Sequence, residues 1–234
     1  IWEATEGLVF DLNYWTYKYD DLIVSLPTQT ILTENDPNFV IRSYQPNGPV
    51  IRILNTFVNG GQLNTDGIDF QIDWSFEALG GLWRLNNFLT YTMEYNLDGT
   101  ESVGGRAVVD LPEYRNVFRA NYALGNHMFQ GIILYRSGLE NHFNSTDEGT
   151  LADRCGFRTN SVTGGLCDTD GITTFDFNYT YNIEAIDSSI QVGCINCFDE
   201  DPVDSIFGDD TGRYFTSLDD PRGLVLFARY TQNF

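Results

Sequence analysis

Few residues in this chain could do chemistry. Its 234 residues include two histidines, His127 and His142. His127 follows the turn residues Gly125-Asn126, and His142 lies in a polar stretch, positions that suit ordinary exposed imidazoles. No Gly-x-Ser-x-Gly, His-Glu-x-x-His or phosphate-binding loop occurs. The Gly pairs at 60–61, 80–81, 104–105 and 164–165 fall among turn residues, where glycine supplies positive φ. The reading is no enzyme, with no catalytic residue, metal or cofactor.

The four cysteines, Cys155, Cys167, Cys194 and Cys197, lack zinc-ribbon spacing. Disulfides in an oxidising compartment fit better. Three pairings are possible, and Cys155–Cys167 with Cys194–Cys197 is preferred. The first bridge would pin one loop and contribute about 3 kcal/mol by chain entropy. The second requires a bulge or turn at Ile195-Asn196, because an extended strand holds residues three apart about 10 Å from each other.

Acids outnumber bases, with 33 Asp and Glu against 13 Lys and Arg, giving a net charge of −20. Lys18 is the single lysine. This balance excludes a general nucleic-acid binder, which needs clustered cations to neutralise phosphate. With 42% hydrophobic and 15% aromatic residues, the chain is also too apolar for acidic disorder. The segment 199–221 holds Asp199, Glu200, Asp201, Asp204, Asp209, Asp210, Asp219 and Asp220. Such oxygens could hold Ca²⁺ or bridge cations to lipopolysaccharide phosphates. The spacing does not match a 12-residue Ca²⁺ loop, and a solvated acidic loop is the favoured reading. Aromatic and arginine residues of the loops are the candidates for ligand contact: Arg42, Tyr44, Phe143, Arg154, Arg158, Arg213 and Tyr214. Arginines would suit an anionic chelate, aromatic faces a sugar. The acidity of the loops weighs against a strongly anionic ligand.

The elements carrying these residues are strands. Period-two alternation runs through the chain. Ile68, Phe70, Ile72, Trp74 and Phe76 alternate with Asp69, Gln71, Asp73 and Ser75. Phe175, Phe177, Tyr179 and Tyr181 alternate with Asp176, Asn178, Thr180 and Asn182. Eight strands are expected, at 6–20, 49–77 (with a possible break at Asn59-Gly60-Gly61), 82–96, 112–124, 127–137, 171–184, 188–198 and 222–234. No helix is expected. Tight turns at 78–81, 125–126 and 185–187 alternate with long loops at 21–48, 97–111, 138–170 and 199–221. Antiparallel strands crossing a membrane slab produce that order. The fold class is therefore all-β, an antiparallel transmembrane β-barrel. Strand acids mostly keep to the polar row, as Asp11, Asp69, Asp73 and Asp176 do, away from the lipid, where a basic residue costs roughly 2–4 kcal/mol at the midplane and Asp or Glu less. Two other architectures remain open: a complete eight-stranded barrel with a structural or adhesive role, and a soluble carbohydrate-binding β-sandwich. The opening Ile1-Trp2-Glu3 shows no leader and no Met, as expected of a processed chain or a piece of a longer one.

Several segments resemble TonB-dependent outer-membrane receptors. Thr173 to Tyr181 looks like the family's third-from-last strand. Val192-Gly193-Cys194-Ile195-Asn196-Cys197-Phe198-Asp199-Glu200-Asp201-Pro202 resembles its penultimate strand, and Asp220-Pro221-Arg222-Gly223 through Phe234 its last. Val58-Asn59 with Thr65-Asp66-Gly67-Ile68-Asp69-Phe70, and Tyr14 to Val24, resemble strands further upstream. Cys197, Leu224 and Gln232 depart from the pattern. Gln232 interrupts the outward row of Leu224, Leu226, Ala228, Tyr230 and Phe234, which ends in the aromatic assembly terminus Tyr230 and Phe234. The resemblance implies a bacterial outer-membrane location and a 22-stranded barrel of which residues 1–234 are the C-terminal third. A plug domain and further strands would lie outside these residues. It also implies uptake of an iron complex, glycan or similar scarce nutrient. The implied partners are outer-membrane lipid, lipopolysaccharide, and TonB acting through the plug, with the tight turns on the periplasmic side.

Overall fold

The computed structural model describes the chain apart from residues 26–27, 45–47, 56, 106–109, 140–168, 204–213 and 234. Twelve strands form among the described residues. They are β1 (Trp2–Thr5), β2 (Leu8–Ser25), β3 (Val40–Arg42), β4 (Val50–Ile53), β5 (Phe57–Ala78), β6 (Gly81–Leu97), β7 (Thr100–Glu101), β8 (Tyr114–Leu124), β9 (His127–Arg136), β10 (Ile172–Ile183), β11 (Ser188–Ile195) and β12 (Val225–Gln232). A short helix, α1, spans Thr28–Glu34. Ten strands make one sheet in the order β1-β2-β5-β6-β8-β9-β10-β11-β12, with β7 beside β6; β3 and β4 form a separate two-stranded sheet. All pairings are antiparallel.

The eight expected strands are the eight long strands of this sheet. Three details differ. Residues 2–5 form a strand of their own, β1, ahead of the Glu6-Gly7 turn. The long segment 49–77 breaks at 54–56, not at the glycines. Val50–Ile53 pairs with Val40–Arg42, while Gly61 is absorbed into β5 at a register shift opposite Leu22. Helix α1 was not expected, because seven residues are too few to display a helical period. Its Ile31 is buried under this small sheet.

Tight connections cluster at one end of the large sheet. Leu79 and Gly80 both have positive φ, at 55° and 78°, the backbone of a type I′ hairpin turn. The 184–187 connection is a single 3₁₀ turn closed by left-handed Asp187. Gln232 is anchored there: its side-chain amide donates to the Ile186 carbonyl at 2.5 Å. That bond accounts for a polar residue in the outward row of the last strand. We call this the turn end and the opposite one the loop end.

Each long strand has an apolar and a polar face. On the apolar face rings meet strand to strand: Phe76 stacks on Trp83 at 6.4 Å and Trp83 on Tyr122 at 4.7 Å, and Phe129 tilts against Tyr179 at 5.0 Å. His127 joins this aromatic band, its Nδ1 2.7 Å from the Tyr179 hydroxyl. On the polar face amides link four strands in a row. Gln130 donates to Asn121 (2.7 Å), Asn178 to Gln130 (2.9 Å) and Gln191 to Asn178 (3.1 Å). Nearby, the Thr90 hydroxyl donates to Asp69 at 2.8 Å, and Asp73 accepts from Gln71 and Asn86.

Among the described residues nothing covers the apolar face. Leu12, Trp74 and Leu226 are 65%, 40% and 75% exposed. The fully buried hydrophobic residues among those described are Ile31, Val40, Leu139 and Phe215, none of them on a strand of the large sheet. A sandwich would bury exactly the face that is bare here, so the sandwich alternative is set aside. The closed eight-stranded barrel also fails. It needs β2 to pair with β12, whereas β2 is flanked by β1 and β5, and β12 pairs with β11 alone. Among the described residues, the outer edges of β1 and β12 have no strand partner.

Candidate functional site at the loop end of the polar face

The polar face changes character toward the loop end. Arg115 and Val117 of β8, Leu134 and Arg136 of β9, Ile172, Thr174 and Asp176 of β10, and Ile195 of β11 share that face by register. Four of these eight are aliphatic. A strap of residues 214–223 folds against them and borders a half-open cavity of about 370 Å³.

One ion pair fastens the strap. Arg136 donates to Asp219 through Nε (2.7 Å) and Nη2 (2.6 Å), and a third nitrogen reaches the Ser137 carbonyl at 3.2 Å. Both side chains are almost fully buried, at 7% and 1% exposure. The fork geometry of guanidinium on carboxylate makes this a strong charge-assisted contact. Phe215 is wholly buried beneath the strap, and its carbonyl accepts from the Leu218 and Asp219 amides at 3.0 and 2.8 Å.

The other wall is a disulfide-closed turn. Cys194 and Cys197 are bridged, with Cα atoms 5.2 Å apart. Asn196 turns the chain with φ of 49°, which is the turn the spacing demanded. Its amide donates to Asp176 Oδ1 at 2.8 Å, and its side chain exchanges two bonds with the Glu200 backbone. Asp199 Oδ1 accepts from the Leu224 amide at 2.8 Å, so one turn pins both the departure and the return of segment 199–221. Opening this four-residue loop by Cys197→Ser is expected to cost about 2 kcal/mol by chain entropy. In the oxidised protein a maleimide should leave both thiols unlabelled until reductant is added; labelling without reductant would contradict the bridge.

Asp220 and Arg222 pair ahead of the last strand, with Nε 2.9 Å from each carboxylate oxygen. The hydrogen bonds from Arg222 hold the Asp220 carboxyl below its usual range and raise the guanidinium. A depressed folded-state value means that this contact contributes above the ordinary carboxylate range and is lost as pH falls through the lower, folded value. The Asp220 carboxyl should therefore titrate below a free aspartate by NMR and return to it in Arg222→Ala. An unshifted midpoint in the unsubstituted protein would refute the pairing. Of the five described acids in 199–221, the carboxylates of Asp199, Asp219 and Asp220 thus have structural partners.

The contact residues expected from sequence are spread out. Arg42 and Tyr44 lie on the β3–β4 hairpin. Arg42 is engaged, donating to Asn35 Oδ1 and to the Gly48 carbonyl, both at 2.8 Å, while Tyr44 is 68% exposed. Tyr214 opens the strap and is half-buried. Phe143, Arg154, Arg158, Arg213, Cys155, Cys167, His142 and Phe234 lie outside the described residues. Tyr230 is exposed on the apolar face. The sequence reading missed Arg115, Arg136 and Asp219. It also missed an inner aromatic column, Trp15, Tyr17 and Tyr19, whose rings follow one another at 6.0 and 6.3 Å. The available signal was Ile132-Ile133-Leu134, apolar on both faces of β9 where an exposed polar face calls for alternation.

Comparison with known proteins agrees with this architecture. The family described as TonB dependent receptor-like, beta-barrel matches residues 2–197. No curated protein matches the chain. Two solved structures, both mutants of the ferric enterobactin receptor PfeA from Pseudomonas aeruginosa, superpose on 99% of the chain with a TM-score of 0.62 and 16% identity. The chain spans 29% and 30% of those two proteins. With the family match covering most of its length and the same fold over nearly all of it, this chain belongs to the TonB-dependent receptor β-barrel family, as an all-β, antiparallel transmembrane barrel segment.

Proposed function

We propose that residues 1–234 are the C-terminal part of the barrel of an outer-membrane nutrient receptor that works with TonB and carry no plug domain themselves. The observation that supports this most directly is the open sheet. Its apolar face suits lipid and its polar face suits a lumen, while two strand edges await partners that a larger barrel supplies. In this reading the turn end is periplasmic. The loop end faces outward, in contact with lipopolysaccharide, and takes up an iron complex, glycan or similar scarce nutrient. A receptor for ferric enterobactin among the structural matches supports uptake as the activity without naming the ligand. Tyr44 and Tyr214, with Arg42, Phe143, Arg154, Arg158 and Arg213, are the proposed contacts of the loops with that nutrient. Tyr230 and Phe234 are proposed as the terminal assembly signal.

The test is uptake by cells carrying the full-length protein, over a panel of labelled iron chelates, oligosaccharides and short peptides. Accumulation of one class should require both this protein and TonB. Accumulation of none, or uptake that persists without TonB, would overturn the reading.

A further inference from the structure

We propose that the cavity beneath the 214–223 strap binds a short apolar peptide as a zwitterion, with its carboxylate on Arg115 and its ammonium on Asp176. The volume, about 370 Å³, lies in the range of small-molecule sites and is too small for a folded element. Its floor is Val117, Leu134, Ile172 and Ile195, with Leu218 above. Aliphatic side chains gathered on a face otherwise built of amides and charges call for an apolar occupant.

The charges at its two sides choose the polarity. Arg115 and Arg136 are directly opposed across β8 and β9, a destabilising like-charge pair unless neutralised. Asp219 neutralises Arg136. Arg115 is exposed and forms no ion pair with any described residue. On the far side lie Asp176 and Glu200. One oxygen of Asp176 accepts from the Asn196 amide, which leaves the other for a donor. An anion alone would meet these two carboxylates, and a cation alone would meet Arg115; a zwitterion satisfies both sides. Asp176 stands two strands across and four residues along from the Arg115 level, which places the two backbones about 16 Å apart. Both side chains rise from the same face and shorten this span only in part, and a di- or tripeptide matches the volume of the cavity.

The inference deepens the uptake reading and rests on it only for the claim that the peptide is cargo. Binding is measured on the full-length receptor in detergent, by equilibrium dialysis against empty micelles. The probe is Ala-Leu-Ala, alongside its N-acetylated and its C-amidated forms. Each cap removes one charge and should weaken binding about tenfold, the weight of one charge-assisted hydrogen bond. Arg115→Gln should abolish the preference for the free carboxylate and leave that for the free amine. Asp176→Asn, which keeps an acceptor for Asn196, should do the reverse. Resistance of the folded barrel to SDS without heating shows that each variant is assembled.

Equal binding of capped and free peptides, or no binding to assembled protein, would overturn the site. If TonB-dependent uptake of another nutrient is then found, the uptake reading survives that failure. Charge-selective binding of Ala-Leu-Ala without TonB-dependent uptake would uphold the site and sink the cargo claim.

Discussion

Replacing Asp219 with alanine should free the 214–223 strap and cost about 3–5 kcal/mol of local stability. The partner left behind, Arg136, is buried on β9 and would lose both forked hydrogen bonds. An uncompensated buried guanidinium is far costlier than the pair is favourable, because desolvation of the charge is no longer offset. Arg136→Met combined with Asp219→Leu should therefore recover much of the loss, which a simple count of lost contacts would not predict. Amide hydrogen exchange reads the effect. The Leu218 and Asp219 amides, both bonded to the Phe215 carbonyl, should exchange slowly in the native protein and fast in Asp219→Ala. The β8 and β9 ladder should remain protected. Unchanged exchange in the strap would show that the ion pair does not hold it.

Gly67→Val should destabilise the barrel by about 3 kcal/mol, the upper range for forcing extra atoms into a packed site. A β-carbon at Gly67 would sit 2.4 Å from the Trp15 ring and 2.5 Å from the Tyr91 carbonyl oxygen. The ring could turn aside, but the carbonyl belongs to the neighbouring strand and cannot. Gly67 also adjoins the register shift between β5 and β6, and its missing side chain leaves room for the ring of Trp15, its partner on β2 and the first ring of the inner aromatic column. The loss should appear as a lower temperature for conversion to the SDS-unfolded form. The intermediate variant Gly67→Ala should fall between the two. A valine variant with the native transition would mean that the strand pair has room the structure does not show.

The strands were legible because each carries its own signal. β10 reads as a strand from Phe175, Phe177, Tyr179 and Tyr181 alone, β11 follows it through the tight turn at 185–187, and β6 follows β5 through Leu79-Gly80. The bridge between Cys194 and Cys197 was legible in conditional form: spacing required a turn at Ile195-Asn196, and left-handed Asn196 supplies it. What could not be read depends on contacts between distant residues. Arg136 and Asp219 are 83 residues apart. Nothing around Asp219, in a segment crowded with acids, marks it as buried. The position of the break in 49–77 was hidden for a related reason. Gly60-Gly61 is a stronger local break than Leu54-Asn55, yet pairing with β2 carries the strand through the glycines. The apolar floor was visible at Leu134, the end of the unbroken apolar run Ile132-Ile133-Leu134, but alternation on the other strands drew attention away from it.

The central claim, that this sheet is one arc of a larger barrel, is tested most directly by the mass of the intact polypeptide carrying this C-terminal sequence in detergent-solubilised outer membranes. The residues here account for 26.5 kDa. The account predicts a single chain several times heavier, resistant to SDS until heated. A membrane-embedded polypeptide near 26.5 kDa, folded without any second chain, would contradict it, because β12 would then have to close on a strand that the structure leaves apart.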